Sequence, residues 1–295
     1  MHKSARRWPD AAGRRQARAG QQVTTNLKPA EYRVIHEFLE GRAGIRLGPD
    51  KEYLVISRLA RLLPSFGLGG FDDLADRLAG LGGARLQAAV IDAMTTNETF
   101  WFRDHAHFQL LIDGILHASR PADLRIWSAA ASTGQEAYSA AISLQDAIQE
   151  GRLDRGLRYQ IVGTDISTRA LQAAQRGIYC GIAASRGLTE QQRRRYFQQR
   201  DGCVELLPRY REQVSFREFN LLRPFDVLGR FDVVFCRNVL IYFSQERRRD
   251  VVTRIARAMK PGGYLFLGST ESMRGHEDLF EMRTIGGGLV YRVRC

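Results

Sequence analysis

The sequence predicts an α/β protein in which a doubly wound, mainly parallel sheet of seven strands follows a small all-helical domain. Residues from about 23 to 120 are rich in helical periodicity and poor in strand signals. After Pro121, short apolar runs alternate with helical patterns, as in a parallel sheet covered on both faces. Near the C-terminus two further runs flank Gly286-Gly287-Gly288, a spacing that fits an antiparallel hairpin. With 295 residues and 44% hydrophobic content, the chain is long enough to bury two cores.

The elements follow in order. "TNLKPAEYRVIHEFLEGRAGIRL" places a capping residue ahead of Tyr32, Ile35, Phe38 and Leu39, and Gly41 is the expected helix stop. A second helix is expected from Pro49 to Leu63, a third from Phe71 to Ala79 and a fourth around Ala84 to Met94. The strands are "LRIW", "RYQIVGTD", "VSFREF", "DVVFCR" and "GYLFLG", completed by Phe280 to Ile285 and Leu289 to Val293. Ala137, Ala141, Leu144 and Ile148 mark the helix after the first strand.

That first strand meets its helix through "RIWSAAASTGQEAYSAAI", where six small residues precede Gly134. The first N–H groups of a helix are unpaired, and small side chains let a ligand approach the backbone. Tight packing of helix on sheet would call for the same residues, and the full G-x-G-x-x-G spelling is absent. In a doubly wound fold the ligand sits at the strand ends. Asp165 ends the second strand, where it can accept two hydrogen bonds from a ribose diol or cap the helix that begins near Ser167. The step from Gly134 to Asp165 exceeds the ~20 residues expected of a dinucleotide fold, which weighs against a nicotinamide cofactor. Asn220 and Asn238 follow the third and fourth strands, where an amide can read an adenine or an amino acid tail, or close a turn.

Composition narrows the function. No run of about 18 apolar residues exists and the N-terminus lacks an apolar signal segment, so the expectation is a soluble intracellular protein. Cys180, Cys203, Cys236 and Cys295 form no C-x-x-C pair and are expected to be ordinary reduced thiols. His105 and His107, two residues apart, point to different helix faces, and no metal site is expected. The formal charge of +12 implies an acidic partner. Part of that excess lies in "MHKSARRWPDAAGRRQARAG", a basic tail over residues 1–22 read as disordered.

Four segments, "TTNETFWFRDHAHF", "WSAAASTGQEAYS", "FCRNVLIYF" and "KPGGYLFLGSTES", stand in an order and spacing that resembles the chemotaxis receptor methyltransferases, which esterify receptor glutamates with S-adenosylmethionine. The similarity covers roughly residues 24 to 293. It implies a seven-stranded, Rossmann-like class I methyltransferase sheet over 106–295, an N-terminal helical domain over 23–105, and a small antiparallel β subdomain inserted at about 177–213. It also assigns Asn97, Thr99, Arg103, Glu136, Asp165, Asn220, Leu221, Arg237 and Asn238 to the cofactor, with Glu136 pairing its amino group and the small corner residues making room for its methionine moiety. Gln135-Glu136-Ala137 departs from the family's Glu-Glu-Pro but keeps the second acid. Ser272 and Met273 replace a frequent asparagine and aromatic, so that loop is expected to meet a different receptor.

The reaction implied is an in-line methyl transfer to a carboxylate, yielding S-adenosylhomocysteine. A glutamate with a pKa near 4.3 is already anionic at neutral pH, so no general base is needed. Arg103 and Tyr242 are the candidate catalytic residues: Arg103 orients the acceptor carboxylate or pairs with that of the cofactor, and Tyr242 hydrogen-bonds near the reacting oxygen. Their alternatives are a surface ion pair and a core aromatic. The expected partners are acidic cytoplasmic receptor helices docked on Arg58 and Arg61. Nucleic acid is not expected, because Asn238-Val239-Leu240-Ile241-Tyr242 lacks the prolines of the Asn/Asp-Pro-Pro-Tyr turn. A signalling adaptor that binds S-adenosylmethionine without turnover would carry the same contacts.

Overall fold

The computed structural model describes residues 26–294 apart from 49, 81 and 82. The basic tail over 1–22 lies outside the described residues. Four helices come first: α1 (Pro29–Ala43), α2 (Glu52–Leu59), α3 (Phe71–Ala79) and α4 (Ala84–Met94). Pro29 opens α1, and Glu31 accepts a 2.8 Å hydrogen bond from the Lys28 N–H in a capping box. The helix runs through Gly41, the expected stop, and ends at Gly44 with φ +71°. A Cβ at Gly44 would stand 2.3 Å from Phe243, so tertiary contact as well as backbone conformation demands glycine there. The second helix is shorter than the expected Pro49 to Leu63; a 3₁₀ turn at Pro64–Phe66 follows it. Ile35, Leu39, Val55, Leu59, Leu74 and Val90 close a separate core.

The sheet half begins with α5 (Ala106–Gln109), a π-helical stretch (Leu110–Leu116) and α6 (His117–Ser119). Then come β1 (Asp123–Ala129), α7 (Gln135–Gln149), β2 (Arg158–Asp165) and α8 (Thr168–Arg176). Next are β3 (Ile178–Tyr179), α9 (Glu190–Tyr196), β4 (Phe197–Arg200), β5 (Cys203–Leu206) and α10 (Pro208–Arg211). The chain finishes with β6 (Val214–Glu218), β7 (Phe231–Cys236), α11 (Gln245–Ala258), β8 (Met259–Phe266), β9 (Phe280–Ile285) and β10 (Gly288–Val293).

The large sheet has the order β6-β2-β1-β7-β8-β10-β9, with antiparallel pairing only where β10 meets β8 and β9. This is the seven-stranded, mainly parallel α/β sheet that the strand pattern predicts, in the form the resemblance implies. Its central strands are buried on both faces, which is why they read as unbroken apolar runs. Ala137, Ala141 and Leu144 of α7 pack on one face, and Val251, Val252 and Ile255 of α11 on the other. Among the described residues no helix is long and apolar enough to cross a membrane.

A second sheet, ordered β3-β5-β4, lies between β2 and β6 in the chain. Asp201 and Gly202, with φ +47° and +76°, turn β4 into β5 as a tight hairpin. The pairing of Tyr179 with Val204 sets Cys180 opposite Cys203, and the two are joined in a disulfide with Cα atoms 4.4 Å apart. This corrects the expectation of reduced thiols at those two positions. The pairing is fixed by strand register across 23 residues of sequence, which no short cysteine motif announces. Cys236 is free and buried.

Candidate functional site

Four strand ends build the site. After β1 the chain passes through Ala130 and Ser132 with φ +60° and +52°, left-handed values that cost non-glycine residues about 1 kcal/mol or more each. Asp165, at the end of β2, holds that corner: Oδ2 accepts from the Ser132 N–H and Oδ1 from the Ser167 N–H, both at 2.8 Å. Ser167 itself caps α8 by accepting from the Ala170 N–H, so the cap does not fall to Asp165. Burial pushes the Asp165 carboxyl above its ordinary value, while its backbone hydrogen bonds pull the other way.

Asn220 and Leu221 follow β6. The Asn220 amide donates to the Arg42 carbonyl at 2.7 Å and its Oδ1 accepts from the Leu222 N–H, so the side chain both makes a turn and ties the sheet half to α1. Arg237 and Asn238 follow β7. The Arg237 side chain, 1% exposed, donates to Glu136 at 2.9 Å, to Asp104 and to the Arg103 carbonyl. Its Nε is buried without a partner among the described residues. Ser128 donates to the other Glu136 oxygen at 2.7 Å. One buried guanidinium thus faces two carboxylates, leaving an excess of negative charge beneath the site. Burial, aided by the Arg237 charge, pushes His107 down to about 4.

Between these strand ends and the helical half lies a cavity of ≈ 280 Å³, against roughly 300 Å³ or more for most small-molecule pockets. All ten residues singled out from the sequence line it: Asn97, Thr99, Arg103, Glu136, Asp165, Asn220, Leu221, Arg237, Asn238 and Tyr242. Asn97 is steadied by Thr95 and Ser167, and its carbonyl accepts from Ser132. The Arg103 guanidinium lies 5.5 Å over the Phe100 ring. Tyr242 is half-buried, and its carbonyl accepts from the Arg46 N–H at 3.0 Å.

Other residues of the cavity were not legible. Arg46, Lys51 and Arg58 reach it from the helical half. Arg58, expected on a receptor-docking surface, donates to the carbonyls of Met94 and Thr95 and to Thr96 Oγ1, bracing the linker to the sheet. Arg61 is exposed. At the β1 corner, Ala130, Ala131 and Ser132 face the cavity, whereas a Cβ on Gly134 would meet Ala174, Phe216 and Tyr138. Gly134 is therefore small for packing, and only the residues before it leave room for a ligand. In the loop carrying Ser272 and Met273, Met273 is 3% exposed and belongs to the core, whereas Ser272 is exposed.

Residues 97–286 match the CheR methyltransferase SAM-binding domain, and residues 30–95 match the CheR methyltransferase all-alpha domain. The chain belongs to the CheR family. It is 41% identical to chemotaxis protein methyltransferase 1 of Vibrio cholerae over 271 residues, covering 91% of this chain and 98% of that protein. It is 42% identical to chemotaxis protein methyltransferase 1 of Pseudomonas aeruginosa, covering 90% and 98%. The Escherichia coli chemotaxis protein methyltransferase is 38% identical, covering 87% and 89%. As a CheR protein the chain is an S-adenosylmethionine-dependent methyltransferase, and its cofactor is S-adenosylmethionine.

Proposed function

We propose that this CheR protein methylates glutamate carboxylates of chemotaxis receptors, giving esters that serve sensory adaptation. The observation that carries the reading is the polarity of the cavity. Asp165 and Glu136 form an acidic floor at the strand ends, and Arg46, Lys51, Arg58 and Arg103 bring positive charge from the helical half and the linker. Asp165 fits the ribose of the cofactor, because a desolvated carboxylate that borders the cavity and whose backbone N–H partners do not fill its four acceptor positions keeps capacity for a diol. Glu136 fits the amino group, Asn97, Thr99, Asn220, Leu221 and Asn238 surround the remaining polar edges, and Arg237 holds Glu136 in place.

Bound S-adenosylmethionine supplies a methyl group on a sulfonium: as its C–S bond breaks, a C–O bond forms on the acceptor carboxylate and the two charges cancel. No proton moves, so no residue has to act as a base. Arg103 and Tyr242 orient the acceptor oxygen, and the helical half keeps water away. An acidic receptor helix meets a basic rim that includes the exposed Arg61. The test is incubation with tritiated S-adenosylmethionine and a receptor cytoplasmic fragment. Label released by mild alkali is expected. Alkali-stable label, or label in nucleic acid, would overturn the glutamate reading.

A further inference from the structure

The turn after β8 carries a buried acid that does not reach the cavity. Glu271 is 8% exposed, and its carboxylate accepts four backbone hydrogen bonds. Oε2 takes the Gly268 N–H at 2.9 Å and the Asn238 N–H at 2.7 Å. Oε1 takes the Val239 N–H at 3.2 Å and the Leu240 N–H at 3.0 Å. A carboxylate offers about four acceptor positions, so all are in use.

The three donors from 238 to 240 are consecutive residues of the β7 turn. That turn holds Asn238 at φ +59° and carries Asn238, Val239 and Tyr242 into the cavity wall. Aligned N–H groups of this kind form an anion nest, and here the anion comes from the protein itself. The approach is close: a Cβ on Gly268 would lie 2.5 Å from the Asn238 amide and 2.9 Å from Glu271 Oε2. Arg248 and Arg249 of α11 hold the loop after Glu271 through the carbonyls of Ser272 and Gly275 and through Asp278.

We propose that Glu271 is a positioning residue for methyl transfer: it sets the Asn238–Tyr242 turn, and through it the amide and phenol that face cofactor and acceptor. The inference rests on the proposed roles of Asn238 and Tyr242. Replacing one carboxylate oxygen with an amide turns an acceptor for two N–H groups into a donor facing donors, so the turn relaxes while the rest of the core is untouched.

The test is a double-mutant cycle of Glu271→Gln with Asn238→Gly, reading the S-adenosylmethionine Kd by calorimetry, kcat per folded molecule and the melting temperature. Glu271→Gln alone is expected to raise Kd about tenfold and lower kcat. In the Asn238→Gly background its effect on Kd should shrink to within about threefold, because the residue acts through Asn238. A Glu271→Gln protein with a lower melting temperature but unchanged Kd and kcat, or effects that multiply in full, would overturn the proposal. If Asn238→Gly alone leaves Kd unchanged, the site reading fails at that residue; a cycle of Glu271→Gln with Tyr242→Phe on kcat then decides Glu271 by the same criterion. Should Glu271→Gln not fold, Glu271→Asp, one methylene too short to hold all four N–H groups, is read in its place.

Discussion

Asp165 and Glu271 are both buried carboxylates at corners of the same sheet, 6% and 8% exposed, and they differ in what they leave free. Asp165 holds two N–H groups and borders the cavity; Glu271 holds four and stands behind its wall. A buried acid is suited to a ligand when acceptor positions remain open toward a cavity. When backbone donors fill them all, the acid becomes part of the frame. Burial and charge, the two properties most easily guessed from sequence, are shared by both residues and so do not separate them.

The largest expected effect tests that distinction directly. If Asp165 holds the ribose as proposed, Asp165→Ala removes two charge-assisted hydrogen bonds to it and should raise the S-adenosylmethionine Kd about a hundredfold or more. Because the Ser132 and Ser167 N–H groups also lose their acceptor, the variant should unfold at lower urea as well. An affinity loss no greater than that of Glu271→Gln would erase the difference between the two acids. The same contrast has a pH dependence. Cofactor binding should weaken as acid protonates Asp165, at a pH above the ordinary aspartate value of 3.8, and Asp165→Asn should abolish that titration in calorimetry.

A smaller effect sharpens the comparison with the opposite sign of charge. Arg58 does for acceptors what Glu271 does for N–H groups, since it gathers the Met94 and Thr95 carbonyls and the Thr96 hydroxyl beside the cavity. Arg58→Ala should raise the S-adenosylmethionine Kd severalfold, about 1 kcal/mol. Arg61→Ala should leave cofactor affinity unchanged while raising the receptor KM and flattening its salt dependence. If both variants alter only the receptor KM, Arg58 is a docking cation after all.

The smallest expected effect is none. With a carboxylate acceptor and His107 neutral above about 4, kcat should stay flat between about pH 6.5 and 8.5, and His107→Gln should not change that profile. Stability behaves otherwise. The His107 pKa is depressed on folding from 6.5 to about 4, so the unfolded chain binds the extra proton and stability is lost as pH falls through that window. Urea midpoints at pH 7 and pH 4.5 should differ less in His107→Gln than in the parent.

Much of the sheet was legible because its central strands carry apolar runs, so that "RYQIVGTD" spans β2 residue for residue, and because a glycine run marks the terminal hairpin, so that Phe280 to Ile285 gives the edge strand β9. The same legibility placed Asp165, Asn220 and Asn238 at the cavity, since strand ends follow from strand positions; Asn97, Thr99, Arg103, Glu136, Leu221, Arg237 and Tyr242 came from the family resemblance, and they line the same cavity. What escaped depends on contacts distant in sequence. The end of α1 is set at Gly44 by Phe243, and Cys180 meets Cys203 through strand register. Helical spacing does not reveal that the linker carbonyls lie within reach of Arg58. Ala130 and Ser132 give no sign of their left-handed backbone, which the Asp165 carboxylate and the corner around it impose.

The cavity draws its walls from residues as far apart as Ala43 and Phe243. During synthesis the helical core can close as soon as α4 has left the ribosome, because Ile35, Leu39, Val55 and Val90 need no later partner. The cofactor has nowhere to bind until the β7 turn has emerged about 150 residues afterwards, and Glu271 arrives later still. Cofactor binding thus reports a chain made at least through the β7 turn, and a product stalled before it, with an intact helical core, stays catalytically silent.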